Sequence, residues 1–237
     1  MGKNLILALE TSSLVSSIAL IEENKLRAEI TIENSRHHSE NLVPHIEHLF
    51  SLGGVKKEDL SAVAVAVGPG SFTGLRIGIG TAKSIAYGLR IPIVGVSTLE
   101  GLAWNLYGEG CLLCPVMDAQ KNNVYAGIFE VQKGKMVKIK EESVESVETI
   151  FNWAKENPRL MLLGEGNRGF EEKLTEYGLA SQRPLPHLKM PRASSIGYAA
   201  LERVREQNYD SVMDLAPNYI RRSEAEELWE KKQLLEK

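Results

Sequence analysis

Apolar runs and polar breaks alternate along this chain in a pattern that occurs twice. LILAL (5–9), VSSIALI (15–21) and LRAEITI (26–32) read as strands, the first two joined by the hydroxyl-rich turn Glu10-Thr11-Ser12-Ser13-Leu14. Next, Leu42, Ile46, Leu49 and Phe50 mark one helical stripe, with Ser39 or Asn41 as the cap and Pro44 early enough to be tolerated. AVAVAVG (62–68) is a wholly apolar strand that runs into a glycine-rich loop, Gly68–Gly74. The pattern then predicts a helix over 75–90, a strand over 91–97, and a short helix over 99–107 capped by Thr98. The order β-β-β-α-β-α-β-α predicts a mixed sheet with helices, in the α/β class.

The second half repeats the plan in shortened form. VMDAQKNNVYAGIF (116–129) is again strand, acidic residue, polar turn and strand, and it sets Asp118 against Glu10. A third strand (136–140) and an amphipathic segment carrying Val147, Ile150, Phe151 and Ala154 follow. LMLLGEGNRGF (160–170) then mirrors AVAVAVGPGSF. A last helix is expected over 194–206, capped by Ser194 or Ser195, and densely mixed charge from Ser223 onward reads as a solvated tail helix. Two lobes are therefore expected, residues 1–108 and a smaller 109–237, with a cleft between their first hairpins.

The loop Gly68-Pro69-Gly70-Ser71-Phe72-Thr73-Gly74 has the form of a phosphate cradle, strand to glycine turn to helix. Its spacing fails both common patterns. A dinucleotide fingerprint needs glycine at 73, where Thr73 stands, and a P-loop ending at Lys83-Ser84 needs glycine at 77 and 82, which are Ile77 and Ala82. Small residues recur every four positions in two rows, Gly74-Gly78-Ala82-Ala86 and Gly80-Ser84-Gly88, so two adjacent helix faces are almost bare. Each helical glycine costs roughly 1 kcal/mol relative to alanine. One row is explained by packing on the helix's own sheet; the second points to another helix approaching closely.

Composition narrows the chemistry. The 237 residues, 43% hydrophobic and 25% charged with a net charge of −3, describe an ordinary globular chain without a large nucleic-acid footprint. No apolar run reaches the ~20 residues of a membrane helix, and a cytoplasmic location is expected. Cys111 and Cys114 form a C-x-x-C within an apolar strand, where their sulfurs diverge, and both are expected as buried thiols. His37, His38, His45 and His48 crowd one helix, but the i, i+3 spacing of the last two is not that of a zinc pair, so no metal site is expected.

Taken in order, ILALETS, RHHSENLVPHI, VGPGSFTGLRIGIGTAKSIA, VMDAQKNNVYAGIF and APNYIRRSEAE resemble the TsaB (YeaZ) family over essentially the whole chain. The resemblance implies an ASKHA (actin/hexokinase/Hsp70-like) two-lobe fold, each lobe RNase H-like with a mixed five-stranded type of sheet and the second abbreviated. It also implies a non-catalytic subunit of the bacterial system that transfers threonylcarbamoyl to N6 of adenosine 37 in tRNAs reading ANN codons. The partner would be the catalytic paralogue TsaD, held in a helix-mediated heterodimer, with TsaE completing the system and tRNA met only through the complex. Alone, the subunit would form a homodimer. ATP and metal would belong to the partners, leaving this chain without a cofactor.

On this reading the interface is expected at Gly70, Ser71, Phe72, Gly74, Leu75, Gly78, Ala82 and Ala86, with His38 and His45 on the flanking helix. No catalytic residue is expected. Glu10, Thr11, Ser12 and Asp118 would mark a vestigial nucleotide cleft, since an active ASKHA ATPase keeps an aspartate where Glu10 stands. The alternative is an ASKHA-type ATPase or phosphotransferase in which Glu10 and Asp118 hold Mg²⁺.

Overall fold

The alternation in AVAVAVG decides how the first sheet is sandwiched. A computed structural model of the chain describes residues 4–23, 25–33, 38–108, 110–167 and 169–220, with backbone only for 38–40. Strands β1 (Leu5–Glu10), β2 (Ser16–Glu22), β3 (Lys25–Ile32), β4 (Ala62–Gly68) and β5 (Ile93–Ser97) form one sheet in the order β3-β2-β1-β4-β5. β1 runs antiparallel to β2 and parallel to β4, with Leu7 opposite both Leu20 and Val63. Val63 and Val65 of β4 face helices α1 (His38–Gly53) and α2 (Phe72–Leu89), joining Leu42, Ile46, Leu49, Leu75 and Ile79 in one core. Ala62, Ala64 and Ala66 face the other way, onto Ile196, Ala200 and Val204 of α6 (Ala193–Arg205). Strands covered on both faces carry continuous apolar sequence for this reason.

The second sheet has the order β8-β7-β6-β9, from β6 (Leu112–Asp118), β7 (Asn123–Gln132), β8 (Lys135–Ser146) and β9 (Leu160–Glu165). It repeats the first sheet's order and strand senses without the fifth strand. Helices α4 (Val147–Glu156) and α5 (Phe170–Glu176) cover its outer face through Ile150, Phe151, Phe170 and Leu174. Its inner face, with Leu113, Met117, Phe129 and Leu163, packs on α3 (Thr98–Trp104). The chain thus has the two-lobe α/β arrangement expected, one mixed sheet to each lobe and the second abbreviated.

One assignment by chain order changes. Residues 193–205 come late in the chain and were expected with the second lobe, yet α6 lies on the first sheet, while α3, which follows β5, lies on the second. The two helices cross over and meet where Gly101 leaves no room for a Cβ beside Ile196. Glu29 of β3 fixes the start of α6, its Oε1 accepting from Ser194 N at 3.1 Å and Ser194 Oγ at 2.6 Å, because Arg192 at the cap position offers no acceptor. Helix α1 begins at His38, ahead of both expected caps, and α2 begins at Phe72, three residues before the expected start.

Candidate interface on helix α2

Strand β1 ends by burying its acid. Glu10 is 1% exposed, and its Oε1 accepts from Ser12 N at 2.6 Å. Burial lifts the Glu10 carboxyl to about 7, with the Ser12 hydrogen bonds pulling the other way. Asp118 makes the same bond at the end of β6, Oδ1 accepting from Gln120 N at 2.7 Å, but it is exposed. The two hairpins are thus related in backbone design and opposed in environment. The Glu10 carboxyl is held within its own hairpin by Ser12 N, and burial leaves it less readily ionised than an exposed carboxylate. Among the described residues no three His, Cys, Asp or Glu gather as a metal site.

The glycine loop closes onto that hairpin. Ser71 N donates to Ser12 O at 2.6 Å, and a Cβ on Gly70 would collide with the Ser12 carbonyl. Ser71 caps α2, its Oγ accepting from Gly74 N at 3.2 Å. Thr11 Oγ1 donates to Gly74 O at 2.9 Å, while a Cβ on Gly74 would strike the Thr11 carbonyl and one on Gly78 would strike Thr11 Oγ1. The loop glycines therefore serve close approach between hairpin and helix.

This geometry separates the two bare rows. Gly74, Leu75, Gly78, Ala82 and Ala86 are buried within the chain and cannot meet a partner, which corrects their expected place in the interface. Phe72 and Ser71 are exposed as expected, and Gly70 is half-buried. The second row stays open: Gly80, Ser84 and Gly88 are exposed, and among the described residues a Cβ at Gly80 or Gly88 would meet nothing within 4 Å. Thr73 is exposed and Ile77 and Thr81 half-buried beside them. On α1, His45 is half-buried and His48 exposed, whereas the side chain of His38, like His37, Arg221, Arg222 and the tail from 223, lies outside the described residues.

A second wall of the face escaped sequence reading. Residues 210–219 return along α2: Asp210 bridges Ile93 of β5, Lys83 Nζ donates to Met213 O at 2.8 Å and Leu215 O at 3.1 Å, and Asn218 N donates to Val67 O at 2.7 Å. Tyr219 stacks on Phe72 with ring centroids 5.0 Å apart. The apolar and aromatic residues of LAPNYI were the available signal. Elsewhere, Cys114 is buried, its thiol pushed up to about 12, but Cys111 is exposed because it precedes β6, contrary to expectation. No helix among the described residues is long and apolar enough to cross a membrane.

Comparison with known proteins places this arrangement. The family model described as TsaD, tRNA N6-adenosine threonylcarbamoyltransferase, matches residues 25–229. A Bacillus subtilis (strain 168) protein named tRNA threonylcarbamoyladenosine biosynthesis protein TsaB is 31% identical over 226 residues, 94% of this chain and 97% of that one. A crystal structure described as an uncharacterized protein with similarity to peptidase YEAZ from Pseudomonas aeruginosa matches with a TM-score of 0.77 at 27% identity, covering 92% of this chain and 100% of that one. The structure described as YeaZ from Pseudomonas aeruginosa gives 0.74 at 25% identity, over 91% and 100%.

Proposed function

The chain belongs to the TsaB family of tRNA threonylcarbamoyladenosine biosynthesis proteins, and from that premise we propose that it is the non-catalytic subunit that heterodimerises with the catalytic paralogue TsaD. In this role it supports transfer of threonylcarbamoyl to N6 of adenosine 37 in tRNAs reading ANN codons, in the cytoplasm. It brings no cofactor of its own; ATP and metal reside on its partners, TsaE among them. Alone, it pairs with a second copy through the same face.

The observation that carries the reading is the open row on α2. Two exposed glycines in an 18-residue helix, each with empty space among the described residues where a side chain would stand, weaken the helix with no return there. They gain a purpose when a second helix packs against them at short range. The family model that fits this chain is that of TsaD, so the partner shares the fold and can offer a matching helix face. Glu10, buried and bonded to Ser12 N in its own hairpin, is not presented to solvent as a Mg²⁺ ligand would be.

The test is reconstitution of tRNA modification with TsaD, TsaE and the threonylcarbamoyl-adenylate donor. Gly80→Trp is expected to abolish product while the isolated subunit stays folded, with the circular dichroism spectrum of the parent chain. Full activity with Gly80→Trp would refute the assignment. Gly78→Leu is not an informative choice, since it strikes Thr11 and damages the fold itself.

A further inference from the structure

Beside the open row stands an exposed cluster that no packing requirement explains. Phe72, in the first turn of α2, and Tyr219, at the end of the returning strap, are each 41% exposed and stacked. The guanidinium carbon of Arg76 lies 3.8 Å from the centre of the Phe72 ring, and Arg76 Nε donates to Tyr219 Oη at 3.1 Å. Three groups from two segments are thus preassembled at the surface. Backbone bonds at Asn218, and Lys83 bound to two strap carbonyls, hold the strap without their help.

On α2 itself the charge beside the cluster has one sign, while the strap carries Asp210, paired with Arg203 at 3.1 Å, and Asp214. Residues 72–89 of α2 contain Arg76 and Lys83 and no Asp or Glu. Among the described residues no carboxylate forms an ion pair with Arg76, whose terminal nitrogens are left with no partner there. Aromatic rings and arginine dominate the energetics of protein interfaces, and groups already fixed lose little entropy on docking.

We propose that Phe72, Arg76 and Tyr219 anchor the α2 face to an acidic segment of its protein partner, a carboxylate of that segment pairing with the terminal nitrogens of Arg76. The inference rests on the heterodimer reading and adds to it the anchor and the partner's charge. A protein partner is favoured over tRNA because the bare row beside the anchor admits a helix and the chain as a whole is acidic, with a net charge of −3.

The experiment titrates full-length subunit with purified TsaD, without tRNA, at several salt concentrations, beside tRNA binding to each variant complex. Arg76→Glu and Tyr219→Ala are expected to weaken TsaD binding about tenfold or more, as hot-spot truncations do. Arg76→Gln is expected to flatten the salt dependence that an exposed ion pair confers, and Tyr219→Phe, which keeps the stack, to lose only a few-fold. All four variants should stay folded, with the circular dichroism spectrum of the parent chain, because Asn218 N and Lys83 still hold the strap. Unchanged TsaD affinity in Arg76→Glu and Tyr219→Ala, or loss of tRNA binding with TsaD affinity intact, would overturn the anchor. Gly80→Trp run in parallel separates the two claims: if it alone loses TsaD, the face stands and the anchor fails; if it too binds normally, the face itself is misassigned.

Discussion

Gly78 lies against the Thr11 side chain, so close that a Cβ on the glycine would collide with Thr11 Oγ1. The same hydroxyl donates to Gly74 O. One threonine in the first hairpin therefore accounts for two of the glycines that open α2, and the buried row belongs to the fold.

That relationship can be measured as a coupling. Gly78→Ala is expected to lower stability by up to about 2 kcal/mol, the ~1–3 kcal/mol of overpacking being partly offset by the ~1 kcal/mol alanine gains over glycine in a helix. Thr11→Ala alone should cost about 1 kcal/mol for the lost hydrogen bond. In the double variant the clash is gone, so urea unfolding should show the two losses summing to more than the combined loss. Simple additivity would mean that the two residues do not press on one another.

On the open row the sign reverses. Gly80→Ala and Gly88→Ala meet nothing within 4 Å among the described residues and should each stabilise the isolated chain by about 0.5–1 kcal/mol, as alanine does at an exposed helix site. Thermal denaturation of the single variants checks this. Destabilisation at Gly80 would show that the row is already covered within the chain.

Glu10 predicts a pH dependence. Its carboxyl is raised from 4.5 to about 7 in the folded chain by burial, so the neutral form is the one folding favours. Its contribution is fully present below pH 4.5 and is lost as pH rises through 7, a difference on the order of 3 kcal/mol. Glu10→Gln keeps an acceptor for Ser12 N and carries no charge. Its melting temperature should fall less between pH 5 and pH 8 than that of the parent protein. Parallel pH profiles would show that Glu10 titrates normally.

The missing fifth strand of the second sheet is replaced by one side chain. Arg183, 6% exposed at its side chain, donates from Nη1 to Leu162 O at 2.7 Å and from Nη2 to Gly164 O at 2.8 Å, along the open edge of β9. Arg183→Ala leaves those two carbonyls uncovered and should cost about 2–6 kcal/mol, at 1–3 kcal/mol per unsatisfied buried group, and expose an edge to pairing with other chains. Urea unfolding together with light scattering on standing would register both effects. A stable, monodisperse variant would contradict this role.

What was legible in the sequence was local. AVAVAVG reads as a buried strand because each of its faces is covered, and the Glu10 and Asp118 hairpins read as a repeat because the same i to i+2 bond ends β1 and β6. Two helix rows could be seen, but not which one faced inward, since Thr11 is 63 residues from Gly74 and period 3.6 carries no information about the opposing surface. The exchange of α3 and α6 between the sheets was hidden for the same reason: both bury most of their residues, and nothing local marks which sheet each one covers. The strap escaped because Asp210, Asn218 and Tyr219 act through partners more than 100 residues away along the chain, such as Gly95, Val67 and Arg76, with no periodicity of their own.

The central claim is that the outer row of α2 is where this subunit meets TsaD, and the molar mass of the mixture tests it most directly. Light scattering on a size-exclusion column should give a one-to-one complex for the parent chain with TsaD, and two separate species for Gly80→Trp with TsaD, the variant remaining folded. A one-to-one complex that forms equally well with Gly80→Trp would contradict the account.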